Sequence, residues 1–155
     1  MMDLANLLCL EGIVPALKVN SKKQAIKELA VRAAAVTGLP EREIFDTLLQ
    51  RERLGSTGVG HGVAIPHAKL SNLDRMIGIF ARLDRPLDFE AIDDQPVDLI
   101  FMLLAPEGAG ADHLKALARV ARLLRDPAIA AKLRACRDSA ALYSVLTHPL
   151  ASNAA

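Results

Sequence analysis

The 155-residue sequence predicts a single α/β domain, a mixed β-sheet flanked by helices. Three observations carry that expectation. Short β-prone runs are intermixed with segments of helical periodicity. One run, Leu99-Ile100-Phe101-Met102-Leu103-Leu104, is apolar at every position, as a central strand covered on both faces must be. No internal repeat or linker divides the chain, so residues 1–147 are expected to form one unit, with a frayed tail over 148–155. A chain this long buries roughly 70% of its unfolded surface and needs neither disulfide nor metal to hold its core.

The elements follow in order. Ser21-Lys22-Lys23-Gln24 reads as a capping box, and Ala25, Ile26, Leu29, Ala30, Ala33 and Val36 repeat at helical spacing until Gly38 supplies a stop. Pro40 opens a second helix with an apolar stripe of Ile44, Phe45, Leu48 and Leu49, ending in the charged Gln50-Arg51-Glu52-Arg53. From Leu54 to Gly62 glycine stands at 55, 58, 60 and 62, a loop expected to be too flexible for regular structure. Val63-Ala64-Ile65 is β-prone, Pro66 bars it from continuing as a well-paired central strand, and His67 is therefore expected at a strand end. Asn72-Leu73-Asp74 turns into a strand over 76–83, closed by an Asp84-Arg85-Pro86 turn. Asp93-Asp94-Gln95-Pro96 makes another turn before the central strand, Val97 to Ala105. After the loop at 106–110, Leu114, Leu117, Ala118, Ala121 and Leu124 predict the inner face of a helix. Asp126-Pro127 caps the next, with Ile129 and Leu133 facing in, and 139–147 forms the last.

Composition excludes several function classes. With 19 Lys+Arg against 18 Asp+Glu, four Phe, one Tyr and no Trp, the chain lacks both the basic footprint and the stacking surface of a nucleic-acid binder. No apolar run approaches the ~20 residues of a membrane span, and the N-terminus lacks the basic region and cleavage site of a signal peptide. Cys9 and Cys136, far apart and without CxxC spacing, suit a reducing compartment, so a cytoplasmic protein without membrane insertion is expected.

The chemistry concentrates between residues 51 and 67. Closely spaced glycines let successive N–H groups point into one concavity, a nest for anions and for phosphate above all. Ser56 and Thr57 add hydroxyl donors and Gly58 an amide, which makes these three the expected phosphate-binding residues. The loop ends in Gly62-Val63-Ala64 rather than Gly-Lys-Ser/Thr, so it is no P-loop, and Pro66 stands where a dinucleotide fold would begin its helix. Gly55-Ser56-Thr57-Gly58 is not a nucleophile elbow. His67 remains as a nucleophile in its own right: imidazole, with an unperturbed pKa of ~6.5, is largely neutral at cytosolic pH and accepts a phosphoryl group without elaborate activation. Such an adduct needs a cation and neutral donors, for which Arg51 and His113 are the candidates. A metal centre from His61, His67 and His113 stays open as a rival, without the short ligand spacing that marks such sites, as does a non-catalytic interaction module.

The stretch Leu49-Gln50-Arg51-Glu52-Arg53-Leu54-Gly55-Ser56-Thr57-Gly58-Val59-Gly60-His61-Gly62-Val63-Ala64-Ile65-Pro66-His67 resembles a signature of the IIA proteins of the bacterial phosphotransferase system, fructose/mannitol type. The resemblance is nearest to their nitrogen-regulatory, PtsN-like branch. It extends through Ala91-Ile92-Asp93-Asp94-Gln95-Pro96-Val97-Asp98-Leu99 and His113-Leu114-x-x-Leu117, and covers nearly residues 3 to 147. It implies the mixed α/β fold of that family and a phosphocarrier function. His67 would take a phosphoryl group on Nε2 from an HPr-like carrier of NPr type, itself fed from phosphoenolpyruvate by an enzyme I, with no resident cofactor, metal or nucleotide. Arg51 and His113 match the arginine and second histidine that stabilise the phosphoryl group, and Ser56 and Thr57 carry over beside them. His61 stands where Asn is frequent and Ala68 where Gly is frequent. The nitrogen-regulatory branch implies control of partners such as potassium-transport or sensor proteins; the sugar-specific branch would instead pass phosphate to a IIB domain.

Overall fold

The computed structural model describes residues 4–148. After 3₁₀ turns at Leu4–Asn6 and Leu10–Gly12 come β1 (Ile13–Leu17), α1 (Lys22–Thr37), α2 (Glu41–Leu54), β2 (Gly58–Gly60), β3 (Val63–Ala64) and β4 (His67–Leu70). The long strands β5 (Ile77–Leu87) and β6 (Val97–Pro106) follow, then α3 (Ala111–Arg125), α4 (Pro127–Ala135) and α5 (Ser139–Thr147). Helices α1, α4 and α5 begin where short polar side chains satisfy their free amides, whereas α2 and α3 start at Pro40 and Gly110 without such a cap. Ser21 Oγ accepts from Gln24 N, Asp126 from Ala128 N and Ile129 N, and Asp138 from Ala141 N. Gly38 ends α1 at φ +79°, a backbone state that costs glycine little.

The sheet is mixed, in the order β1-β5-β6-β3-β2, with β4 also pairing β6. β5 and β6 run antiparallel at its centre with Phe80 opposite Phe101, while β1 lies parallel to β5 and both β3 and β4 lie parallel to β6. Alternation along the two central strands feeds two cores. Ile79 and Ala81 of β5 with Ile100, Met102 and Leu104 of β6 pack under α1 and α2. Phe80, Leu99, Phe101 and Leu103 pack under α3, α4 and α5 against Val120, Leu124, Leu133 and Leu146. The uninterrupted run at 99–104 is thus divided by the pleat between two apolar layers, and truncating a fully buried Phe101 to Ala would cost ~3–5 kcal/mol.

The structure corrects several sequence-based expectations. The glycine loop contains a short strand, since β2 pairs antiparallel with β3. Pro66 interrupts pairing without ending it: Leu103 N donates to Pro66 O at 2.9 Å, and the chain resumes against β6 as β4, which His67 begins. The expected turn at Asp84-Arg85-Pro86 lies within β5, where the ladder to β6 shifts register between Arg82 and Leu87 and so tolerates a proline. β1 contains Pro15 and sits at the sheet edge, where its missing N–H costs no ladder bond. The inner face of α3 is His113, Ala116, Val120 and Leu124, whereas Leu114 is 69% exposed. Of the expected tail, His148 closes α5 through its N–H to Ser144 O; residues 149–155 lie outside the described residues.

Candidate functional site

His67 is held half-buried at the start of β4, opposite Leu103, between the last turn of α2 and the first turn of α3. Its Nδ1 lies 2.9 Å from Ile65 O. A carbonyl only accepts, so Nδ1 carries the ring proton and Nε2 the lone pair. Arg51 Nε donates to that Nε2 at 3.2 Å, and its Nη1 donates to Gly55 O at 2.9 Å, so the guanidinium is braced between loop and imidazole. Burial, chiefly, pushes the His67 pKa below 6.5, and Arg51 pushes the same way; the Ile65 carbonyl and Glu52 act against them without reversing the result. His67 is therefore a neutral imidazole at pH 7 with its nucleophilic nitrogen defined.

His113 occupies the first turn of α3, only 6% exposed, its ring edge-on to His67 with centroids 5.5 Å apart and planes at 69°. Its Nε2 is buried without a hydrogen-bond partner. Burial first, then repulsion from His67 when that ring is protonated and from the Lys69 ammonium, lower its pKa, so it too is neutral at pH 7. Arg51, His67 and His113, distant in sequence, are thus brought together.

The three residues expected to bind phosphate have other partners. Ser56 Oγ donates to Phe89 O at 2.6 Å and accepts from Gly58 N at 3.0 Å. Thr57 donates its hydroxyl to Glu52 Oε1 and its N–H to Glu52 Oε2. Gly58 lies so close to Ala91 that a Cβ there would meet Ala91 Cα at 2.8 Å. Their hydroxyls and the Gly58 amide hold the loop in shape, placing the Gly55 carbonyl that braces Arg51. Both hydroxyl donors are directed at protein oxygens in this structure.

Glu52, which the sequence shows only as one of the charges that end α2, has a structural role that this charged run did not announce. Only 7% exposed, it binds Thr57 and pairs with Lys22 Nζ at 2.8 Å. Lys22 in turn stands over the Phe89 ring. The signal was present: Ile44, Leu48 and Glu52 are spaced four apart, so the buried stripe of α2 runs into the carboxylate. As for the metal alternative, among the described residues no three His, Cys, Asp or Glu side chains converge as ligands. His61 is exposed at a turn with φ +59°, its amide bound to Asp93.

The fold that brings Arg51, His67 and His113 together has counterparts among known proteins. The chain belongs to the family described as "Phosphoenolpyruvate-dependent sugar phosphotransferase system, EIIA 2", which matches residues 6–148. Within that family its likeness is to nitrogen regulatory proteins. It is 66% identical over 153 residues to the nitrogen regulatory protein of Bradyrhizobium diazoefficiens, covering 99% of this chain and 100% of the relative. The crystal structure of the nitrogen regulatory protein IIA-Ntr from Neisseria meningitidis superposes with a TM-score of 0.88 at 35% identity, covering 93% of this chain and 99% of that one. The mannitol IIA of Escherichia coli shares the fold, with a TM-score of 0.74 at 21% identity over 89% of this chain and 97% of its own. Among the described residues no helix is long and apolar enough to cross a membrane.

Proposed function

We propose that this protein is a cytoplasmic nitrogen-regulatory phosphocarrier that accepts a phosphoryl group on His67 Nε2 from an HPr-like carrier of NPr type. Phosphoenolpyruvate is the ultimate phosphoryl source, and phosphorylation controls protein partners of the potassium-transport or sensor kind. The observation that supports this most is the division of labour on one imidazole: Nδ1 is tied to Ile65 O, which leaves the Nε2 lone pair directed at Arg51.

In the transfer, the Nε2–P bond forms as the N–P bond to the donor imidazole breaks, and the donor nitrogen leaves with its electron pair. The proton on His67 Nδ1 stays shared with Ile65 O, so the forward step needs no separate base. Arg51 turns its N–H groups from the ring nitrogen to the phosphoryl oxygens, a charge-assisted contact of ~1.5–3 kcal/mol. His113, whose Nε2 has no partner within the protein, is placed to add a hydrogen bond as about two negative charges arrive beside it. Leu54 and Leu114 are exposed on the helices that carry Arg51 and His113, and supply apolar surface for the carrier to dock.

Incubation with phosphoenolpyruvate, enzyme I and the carrier should add one acid-labile phosphate, and His67→Ala should abolish it. Full labelling of His67→Ala would overturn the assignment. Transfer onward to a sugar-specific IIB domain would replace the regulatory role with the sugar-specific one.

A further inference from the structure

The near-neutral total charge conceals a positive face. α3 carries Lys115, Arg119, Arg122 and Arg125 against a single acid, Asp112, for a formal +3, so the rest of the chain, whose total is +1, sums to −2. At 100° per residue these four cations fall within about 120° of arc and along ~15 Å of helix, one continuous stripe. All four are exposed, and none has an ion-pair or hydrogen-bond partner among the described residues. Beside them runs a groove of about 430 Å³ lined by Ala118, Ala121, Arg122, Arg125 and Asp126. Its one acid is committed elsewhere, since the Asp126 carboxylate caps α4 through Ala128 N and Ile129 N. Ordinary surface helices place acids one turn from their bases; α3 has no acid between Asp112 and Asp126.

We infer that this face of α3 is an interaction surface for an acidic protein segment, one whose carboxylates, spaced a helical turn apart, pair with the Arg119, Arg122 and Arg125 guanidinium groups. The small floor of Ala118 and Ala121 admits a packed backbone or side chain between the arginine walls. A lipid surface is disfavoured because the groove's apolar lining is only these two alanines, with no large side chain to insert. A nucleic acid is disfavoured because the stripe contains no aromatic residue on which bases would stack. Lys115 adjoins the Leu114 surface proposed for the carrier, but Arg119, Arg122 and Arg125 lie six to twelve residues further along the helix from His113, so the arginine surface extends beyond the one a phosphoryl donor must cover. The inference does not rest on phosphoryl transfer.

The test uses a labelled synthetic peptide of Ala and Gln with Glu at every fourth position, titrated into the whole protein at low salt. Its amide-shift perturbations should map to α3 and the groove, and binding should weaken at least about tenfold in Arg119→Glu/Arg122→Glu/Arg125→Glu. The neutral pair Arg122→Gln/Arg125→Gln should fall between, and its thermal melt and His67 labelling should match the parent, which excludes misfolding as the cause. Equal binding by the charge-reversed variant, perturbations spread over the whole surface, or tighter binding of phosphatidylglycerol vesicles or duplex DNA than of the peptide would each overturn the inference. Loss of His67 labelling in the unaltered protein would bear on the phosphocarrier reading alone.

Discussion

On the α2 flank of His67 the buried and half-buried polar side chains are bonded to other parts of the protein: Arg51 to the ring and to Gly55 O, Glu52 to Thr57 and Lys22, Ser56 to Phe89 O. On the α3 flank His113 is as deeply buried as Glu52, and its Nε2 has no partner. A buried polar atom without a hydrogen bond costs ~1–3 kcal/mol, so the fold bears on one side a penalty it avoids entirely on the other. The difference separates two tasks. The α2 flank is a finished scaffold that sets where His67 and Arg51 stand. The α3 flank holds a buried nitrogen without a partner, which on the proposed phosphocarrier reading would make its hydrogen bond only when a phosphoryl oxygen arrives.

That contrast can be broken by substitution. The largest effect is expected from Glu52→Ala, which leaves Lys22 only its longer ion pair to the exposed Glu90, at 3.5 Å, and unties Thr57; chemical denaturation should show a loss of ~3 kcal/mol, with transfer slowed as the loop shifts. Glu52→Gln, which keeps the shape but not the charge, should recover part of both. Arg51→Ala should slow phosphorylation by about 10- to 100-fold in a rapid-quench assay while leaving the melting temperature nearly unchanged, because its bonds are to the site rather than to the core. A drop in stability as large as that of Glu52→Ala would make Arg51 a scaffold residue instead. His113→Phe should behave in the opposite way to Glu52→Ala: equal or higher stability, by up to about 1 kcal/mol, with slower phosphoryl transfer. If it destabilises by several kcal/mol, His113 is not carrying an unmade bond.

The smallest effect expected is a pH dependence with a definite sign. His67 and His113 both have pKa values below 6.5 in the folded protein, so as pH falls below about 6.5 the unfolded chain binds protons that the folded one does not. Stability should therefore fall on acidification from pH 7 toward 5 and be flat from pH 7 to 8 as far as these groups decide it. Each histidine contributes a slope of at most ~1.4 kcal/mol per pH unit. The slope should shrink in His113→Phe, and an unchanged slope would remove His113 as one of its sources.

The parts of the molecule that were legible in the sequence are those where local chemistry and global fold agree. Ser21 and Gly38 bound α1 as their types require, and the apolar run at 99–104 is the central strand. The face of α3 was misjudged because Leu114 is apolar and His113 is not. The helix is rotated so that the histidine faces in and the leucine out, a choice made by the site and not by hydrophobic patterning. β1 and β4 were missed because Pro15 and Pro66 break the β pattern, and each is tolerated for a tertiary reason, an edge in one case and an interruption in the other. The sequence singles out Arg51, His67 and His113, and the structure brings the three together; that Ser56 and Thr57 direct their hydroxyls to Phe89 and Glu52 depends on tertiary contacts that no local pattern encodes.

The break at Pro66 has a bearing on how the protein fails. His67 owes its position to the pairing of β4 with β6, His67 against Leu103 through Leu70 against Pro106, and β6 is the most deeply enclosed strand of the sheet. A slip of one residue would exchange His67 for Ala68 and turn the ring onto the opposite face. Such a slip is possible only if the ladder opens, which requires the two cores on either side to come apart. Amide hydrogens of β4 should therefore exchange on the slow timescale of whole-molecule opening, while the turn at Asn72-Leu73-Asp74 just beyond exchanges quickly. The placement of His67 is lost with the molecule or not at all: damage that merely frays the surface leaves every surviving copy with its histidine in register.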